Sequence, residues 1–208
     1  MYVPKFFKIT DMNEIVEFIN AHSFAIMVTT ENSKPIATHL PLQLKKLKDD
    51  YYVTGHLAYG NPQWRILETS KEVLVIYQGP HAYISSSWYG HENVPTWNYQ
   101  SVHLYGEASI LSEEELKQDL ASLLEKYEKH RENAVLWDKL SPELIEREIK
   151  GIVGFKIKVV DIQAAYKMSQ NRNSEDYHKI IEKLAEENNV DSQMVAEAMK
   201  KLNKGDIE

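Results

Sequence analysis

The sequence predicts an α+β fold in which helices pack on an antiparallel sheet that is closed, or nearly closed, as a small barrel. Three β-rich runs follow one another with short connections early in the chain, which favours an antiparallel meander over β-α-β units. A later run, residues 73–77, is continuously apolar and predicts a strand buried on both faces. The helical patterns lie between and after the strands. Composition does not distinguish a closed barrel from an open sheet.

The first part of the chain supplies most of the predicted strands. Asp11 caps a helix whose apolar residues recur at helical spacing up to residue 21. Strands with turns at 31–34 and at the charged run 45–50 are then predicted at 24–30, 35–44 and 51–56. Asn61 and Pro62 begin a short helix, because proline is tolerated in a first helical turn.

The second part alternates strands with helices that have clear start signals. Ser112 and Glu115 form a capping box, and Ser141 followed by Pro142 marks a second helix that ends near Lys150. Strands are predicted at 102–111 and 151–160, and residues 164–172 are extended or turning. Two final helices are predicted from Ser174 or Glu175 to about 188 and from 191 to about 202.

Composition excludes several classes of function. The chain has 208 residues, a formal net charge of −7 and no cysteine. The length allows one sizeable domain, or a domain with an appended subdomain, and the charge gives no overall attraction to nucleic acid or to an anionic membrane. The lack of cysteine excludes thiol catalysis and cysteine-ligated metals, and it fits a cytoplasmic protein. No apolar run reaches membrane-spanning length.

Residues 79–106 form the most unusual segment. They combine serines and histidines with four tyrosines and two tryptophans, and they follow no simple helix or strand period. Flat rings beside small polar groups suit a planar ligand. A buried β-hairpin rich in aromatic residues explains the same composition, and both interpretations stay open.

Metal binding and nucleophilic hydrolysis find no local motif. The histidines have no HxH or HExxH spacing, so the sequence predicts no metal site; they are His39, His56, His81, His91 and His103. The serine run at 85–87 lacks the GxSxG turn of a hydrolase nucleophile. No catalytic residue is therefore assigned, and the sequence leaves open whether the protein has catalytic turnover, although it favours a protein that is not an enzyme.

Several long strings, in the same order, carry a resemblance to a known family. They cover most of the chain up to about Arg172: MYVPKFF, PIATHLPL, GHLAYGNPQW, GPHAYISSSWY, VPTWNY, IVGF and KMSQNR. The chain resembles the PaiB-type negative regulators of sporulation and degradative-enzyme (protease) synthesis. The resemblance implies a split β-barrel related to FMN-binding proteins and a homodimer. It places a split-barrel domain at 1–172, with inserted helices at about 112–150, and a C-terminal helical pair at 173–208.

An FMN site requires donors for a dianionic phosphate, a slot for the isoalloxazine ring and polar groups at the edge of the ring. The phosphate candidates are Thr38, His39, Asn61, Lys167, Ser169 and Arg172. Trp64, Trp88 and Trp97 are candidates for the walls of the slot, and Gln170 for its edge. Strand packing and helix capping also explain Thr38 and Asn61, and a solvated turn also explains 167–172.

Tyr59 departs from the pattern of related barrels, because a basic residue is expected in that turn to meet the phosphate. Tyrosine donates one hydrogen bond but does not neutralise a phosphate. The predicted ligand is still FMN or another flat anionic molecule. Arg65 or Arg172 then supplies the positive charge that the basic residue expected at Tyr59 would have supplied. Two alternatives stay open: an FMN-dependent oxidoreductase and a haem-binding split barrel.

The C-terminal helical pair is the candidate for contact with DNA. Its first helix is strongly acidic, whereas Lys200 and Lys201 lie at the far end of the second helix. A recognition helix would carry its contacts at its start. The sequence therefore favours a packing pair, with regulation through a ligand or a protein partner.

Overall fold

The computed structural model of the chain describes residues 1–70 and 72–203. These residues contain α-helices and an eight-stranded sheet. The strands are β1 Lys8–Ile9, β2 Phe24–Glu31, β3 Lys34–Pro41, β4 Gln43–Leu47, β5 Asp50–Ala58, β6 Val73–Ile84, β7 Thr96–Ile110 and β8 Ile152–Lys167. The α-helices are α1 Met12–Ala21, α2 Gln63–Leu67, α3 Glu113–Glu128, α4 Pro142–Ile149, α5 Ser174–Glu186 and α6 Val190–Asn203. Short 3₁₀ helices lie at Lys5–Phe7, Ser86–Trp88 and Trp137–Lys139.

The strand order is β3-β2-β6-β7-β8-β5-β4, with β1 paired to β8. The registers of β2 with β3 and β6, of β4 with β5, and of β8 with β1 and β5 are all antiparallel. The first predicted turn is confirmed: Asn32 and Ser33 connect β2 to β3 with φ of 49° and 63°. Two successive residues with positive φ match the right-handed twist of the strands that they join.

The predicted strand at 35–44 is wrong in one respect, because the structure divides it at Leu42. Pro41 ends β3, and the Leu42 N–H donates to Ser23 O at 2.8 Å. The chain then changes partner, since β3 pairs with β2 whereas β4 pairs with β5. The charged run predicted as a turn at 45–50 therefore contributes Lys45–Leu47 to a strand, and only Lys48 and Asp49 lie between the two paired strands.

Three strands are longer than the patterns predict. β6 continues from Val73 to Ile84, and β7 begins six residues before the predicted start at Val102. β8 includes residues 164–167, which the sequence left as extended or turning. Aromatic and polar side chains in these segments hide the alternation that burial shows along β6.

The helix starts are those that the capping residues predict. The capping box of α3 is complete, with Glu115 N–H donating to Ser112 Oγ at 3.2 Å and Ser112 N–H donating to Glu115 Oε2 at 2.9 Å. Ser141 accepts from Leu144 N–H at the start of α4. Asn173 caps α5 by accepting from Asp176 N–H at 2.8 Å.

The chain divides into two compact units. The terminal unit contains residues 1–18, 77–103 and, within the described part of the chain, 163–203. The middle unit contains residues 19–76 and 104–162. This division follows spatial contacts. The domain boundary at 172/173 that the sequence predicts stays a prediction. Residues 204–208 of the predicted C-terminal helical pair lie outside the described part of the chain.

Each unit has its own buried apolar side chains. The terminal unit includes the packed pair α5 and α6, whose inner faces are Tyr177, Ile180, Ile181, Leu184, Val195, Ala196 and Met199. The Tyr177 hydroxyl donates to Met199 O at 2.8 Å. The apolar stripe of α6 is thus used for packing. The middle unit buries Met27, Leu42, Val53, Leu67, Val75, Phe155 and Ile157.

Candidate ligand-binding site

Strand β7 holds the turn after β8 through its polar side chains. Lys167 Nζ donates to Thr96 Oγ1, and Ser169 Oγ donates to Asn98 Oδ1 at 3.1 Å. Asn98 and Ser169 are both buried. Because alternate residues of a strand share a face, Thr96 and Asn98 present one face of β7 to this turn.

Gln170 closes the turn onto its own backbone. Its Oε1 accepts from Met168 N–H at 2.7 Å, and its Nε2 donates to Tyr166 O at 2.6 Å. Ser169 adopts a left-handed conformation with φ of 62°, and its carbonyl accepts from Arg172 N–H at 3.0 Å. The side chain of Gln170 therefore positions the turn between Lys167, at the end of β8, and Arg172.

Arg172 has a flat partner and an unused donor. Its guanidinium carbon lies 4.9 Å from the centroid of the Tyr89 ring. Arg172 Nε is buried without a hydrogen-bond partner among the described residues, as is the Tyr89 hydroxyl. A buried donor without an acceptor is costly, so the site favours a ligand that supplies one.

Burial and the charge of Arg172 both act on Lys167. Burial, and then the positive charge of Arg172, hold the pKa of Lys167 below its ordinary value of 10.5. The described residues contain no ion pair between a carboxylate and either Lys167 or Arg172. An anion bound between them would favour the charged form of Lys167.

Asp176 of α5 fixes the loop that carries Tyr89. Its Oδ1 accepts from Gly90 N–H at 2.8 Å, and its Oδ2 lies 3.3 Å from His91 Nδ1. The Gly90 hydrogen bond and then that of Asn173 hold the pKa of Asp176 below its usual range. The carboxylate therefore stays ionised while it holds the loop beside Arg172.

The predicted ring residues of the terminal unit lie on different segments. Trp88 ends the 3₁₀ helix Ser86–Trp88 and is half-buried next to Tyr89. Trp97 is 53% exposed, and its ring contacts Tyr83 at 5.8 Å and His81 at 6.0 Å between centroids. Since Trp97 alternates with Thr96 and Asn98, its side chain lies on the opposite face of β7 from Lys167 and Ser169.

Thr38 and Asn61 belong to the middle unit, where Gln63 engages their polar groups. Thr38 Oγ1 donates to Gln63 Oε1 at 2.6 Å and accepts from Asn61 Nδ2 at 3.1 Å. Asn61 Oδ1 accepts from Gln63 N–H at 3.0 Å. Gln63 is fully buried, and its Nε2 donates to Thr29 Oγ1 and to Ile36 O. This cluster joins the short helix α2 to two strands.

The remaining candidates of the middle unit lie around the start of α2 and on β3. His39 is exposed on β3. Trp64 Nε1 donates to Tyr59 O at 3.0 Å, and the two rings lie 5.7 Å apart. The Arg65 guanidinium lies 4.5 Å from the Trp64 ring. Tyr59 is 55% exposed in the turn where a cation was expected.

The structure thus brings together Lys167, Ser169, Gln170 and Arg172 in one unit and Thr38, Asn61 and Trp64 in the other. Sequence reasoning did not single out Tyr89, Asn98 or Gln63. No local signal identifies the first two, because their partners lie 83 and 71 residues away along the chain. For Gln63, the only local signal in the sequence is its position two residues after Asn61.

Residues 1–70 and 72–203 contain neither a candidate metal site nor a helix long and apolar enough to span a membrane. There, no cluster of three or more histidine, aspartate or glutamate side chains is arranged to hold a metal ion. None of the helices in the same part of the chain combines the length and apolar character needed to cross a bilayer.

Two solved structures show the same fold. The chain matches the flavocytochrome Anf3 from Azotobacter vinelandii with a TM-score of 0.62 and 18% identity, over 85% of this chain and 78% of the other. It matches the FAD and heme binding protein from Mycobacterium smegmatis with a TM-score of 0.62 and 12% identity, over 82% and 78%. At these identities the likeness concerns the fold alone, and the predicted α+β split-barrel class is confirmed.

Sequence comparisons identify the family. Residues 1–161 match the family described as "Putative FMN-binding domain". The chain is 64% identical over 199 residues to the Protease synthase and sporulation protein PAI 2 of Bacillus subtilis (strain 168), covering 96% of each protein. With most of its length matched in both comparisons, this chain belongs to the PaiB-type family of FMN-binding-domain proteins.

Proposed function

We propose that this chain is a negative transcriptional regulator of sporulation and degradative-enzyme synthesis genes, and that its split barrel binds FMN or a similar flat anionic ligand. The name of the Bacillus subtilis relative, Protease synthase and sporulation protein PAI 2, supports the link to sporulation and degradative-enzyme synthesis. One structural observation carries the ligand: in the turn that follows Lys167, the last residue of β8, Arg172 Nε is buried and has no hydrogen-bond partner among the described residues.

The donors of the terminal unit fit a phosphate group. Arg172 offers a guanidinium and Lys167 an ammonium, and neither forms an ion pair with a carboxylate of the described residues. A phosphate dianion supplies acceptors for both, and charge-assisted hydrogen bonds of this type are the strong ones. Arg172 therefore takes the role of the cation that Tyr59 does not provide.

The aromatic residues supply flat contact surfaces for the ring of the ligand. Trp88 lies beside Tyr89, the residue under the Arg172 guanidinium. Trp97 lies on the other face of β7, so we assign it to the same class of ligand through the second copy of a homodimer. FMN, when bound, would supply its redox-active ring and its phosphate, whereas this chain supplies binding, orientation and exclusion of water.

In this proposal α5 and α6 do not form a DNA-reading helix pair. Their apolar faces are buried against each other, and the Tyr177 hydroxyl joins the two helices. Regulation therefore operates through the bound ligand or a protein partner of a cytoplasmic homodimer, with direct contact to operator DNA as a measured alternative.

The first experiment is an absorbance spectrum of the purified protein. It is followed by titration with FMN while flavin fluorescence and the mass of the protein in solution are recorded. We expect saturable quenching with one FMN per subunit and the mass of a dimer. A colourless protein that does not quench FMN at micromolar concentration contradicts the flavin part of the proposal. Operator DNA titrated with and without FMN then tests direct binding.

The same protein distinguishes the two alternatives. Oxidation of a nicotinamide cofactor that depends on bound FMN would identify an FMN-dependent oxidoreductase. A Soret band that saturates with added haem, without FMN binding, would identify a haem-binding split barrel. Neither activity is expected of a ligand-responsive regulator.

A further inference from the structure

The middle unit contains an open apolar cavity outside the candidate flavin site. Its volume is about 280 Å³, and its walls come from α3, the 3₁₀ helix Trp137–Lys139, α4 and the start of β8. Of the ten described residues that line it, nine are apolar. None of the residues proposed for FMN lines it. The side chains that form it are Leu120, Leu123, Leu124, Trp137, Leu140, Leu144, Ile145, Glu148, Ile149 and Ile152.

The two helices around the cavity leave their apolar faces partly uncovered. α4 contains no buried residue, although Leu144, Ile145 and Ile149 form one stripe along it. α3 buries only Leu116 and Asp119. Keeping this much apolar surface in contact with water costs free energy, and a concave apolar surface of this type marks a binding site more often than a defect.

A polar network on a neighbouring face of α3 holds this helix beside the cavity. Asp119 Oδ1 lies 2.5 Å from Thr54 Oγ1 and 2.5 Å from Lys45 Nζ. Ser122 Oγ donates to Gln43 Oε1 at 3.1 Å. These contacts fix α3 on the sheet, so its leucines do not move inward to fill the space. The cavity is therefore preformed, as ligand sites usually are.

The lining chemistry defines the class of ligand. Glu148 is the one polar lining residue, and it forms an ion pair with Arg147 at 2.7 Å on the exposed rim. Among residues 1–70 and 72–203, no lysine, arginine or histidine lines the cavity. An anion would meet a carboxylate and find no cation in the wall, whereas a neutral apolar molecule loses no polar contact on entry. Trp137 adds a flat ring to one wall.

We propose that this cavity binds a small uncharged apolar molecule of one or two rings. The volume lies near the lower end of the range of about 300 to 1,000 Å³ typical of small-molecule sites, which sets the size. The anchored wall, the apolar lining and the absence of a cation in it all favour this class over a fatty acid or a nucleotide. This inference does not depend on flavin binding.

The test is a fluorescence titration of the full chain with N-phenyl-1-naphthylamine, a neutral apolar probe. We expect saturable enhancement with one probe per chain. Leu144→Trp adds volume inside the cavity and should weaken the probe at least about tenfold. Leu47→Trp makes the same change at an exposed leucine of β4 and should leave the affinity unchanged.

Circular dichroism and a urea midpoint establish that the variants fold. If Leu144→Trp is unfolded, Ile145→Phe replaces it as the filling variant, with the same expected loss. No saturable binding by the wild-type chain, or equal affinity in filled and control variants, overturns the proposal. A cavity covered by a second copy of the chain also overturns the proposal. In that case the wild-type protein would exclude the probe, and filling the cavity would lower the mass of the protein in solution from that of a dimer to that of a monomer.

Discussion

Asp119 Oδ1 lies 2.5 Å from the hydroxyl oxygen of Thr54, so a buried carboxylate on α3 is anchored by a side chain of β5. The same oxygen pairs with Lys45 of β4. One charged group thus connects the inserted helix to two paired strands of the middle unit. Its energetic weight is open to a direct test.

Asp119→Ala should destabilise the chain by roughly 3 to 5 kcal/mol, because it leaves Lys45 without its partner and Thr54 without its acceptor. The free energy of unfolding in urea measures this loss. Glu125→Ala removes an exposed i, i+4 partner of Lys129 on the same helix and should have little effect. Similar losses for both variants would show that Asp119 is not an anchor.

Two glycines provide a matched pair for packing within the middle unit. A Cβ atom at Gly106 would lie 2.2 Å from the backbone oxygen of Lys158, whereas a Cβ at Gly60 meets nothing within 4 Å. Gly106→Ala should therefore cost roughly 2 to 3 kcal/mol, since a backbone neighbour does not yield as a flexible side chain does. Gly60→Ala should be nearly neutral. Thermal unfolding of the two variants checks this, and equal melting temperatures would contradict the close strand contact.

The burial of His56 predicts that the folded chain loses stability in weak acid. Burial lowers its pKa from the ordinary 6.5, although the charge of Asp119 opposes the change. The unfolded chain therefore binds the proton more readily, so the contribution is complete above pH 6.5 and is lost as the pH falls from there through the folded pKa. Burial acts in the same direction on His22 and His103.

Urea unfolding at about pH 7.5 and about pH 5.5 measures this dependence. We expect His56→Gln to lose less stability than the wild type between the two conditions. His39→Gln changes an exposed histidine and should keep the full loss. An unchanged pH dependence in His56→Gln would remove this residue from the explanation.

Arg172→Ala tests the proposed phosphate contact. It should weaken FMN by roughly 1.5 to 3 kcal/mol, the scale of a hydrogen bond to a charged group, and leave riboflavin almost unaffected because riboflavin lacks the phosphate. Calorimetric titration with both ligands measures the difference. Arg131→Ala, on an exposed arginine of the middle unit, should change neither affinity. Unchanged FMN affinity would exclude Arg172 from the site.

Trp97→Ala tests the ring contact separately. The side chain is 53% exposed, so its removal should leave the fold intact. Loss of an aromatic contact should weaken riboflavin and FMN alike, by about 0.5 to 1.5 kcal/mol. The same calorimetric titrations check this. A loss for FMN alone would assign Trp97 to the phosphate rather than to the ring.

Local signals predicted the helices better than the strands or the site. Ser112, Ser141 and Pro142 lie at helix starts because caps satisfy backbone groups of nearby residues. The extents of β6, β7 and β8 depend on pairing with distant segments, and the mixed aromatic and polar residues at 79–84 and 96–101 hid the extents of β6 and β7. Whether Pro35–Pro41 and Gln43–Leu47 formed one strand or two was likewise decided by their different partners.

The sequence by itself indicated the α+β class through the order of its elements and the family through its long motif strings, and it placed Lys167 and Arg172 within a few residues of each other. Only the tertiary structure decided that Tyr89 lies under Arg172, that Gln63 engages Thr38 and Asn61, and that Trp97 lies on the opposite face of β7 from Lys167. It also decided that α3 and α4 leave an open apolar cavity. The physical reason is that hydrogen bonds and ring contacts are satisfied by the nearest groups in space, and strand pairing and burial choose those groups from distant parts of the chain.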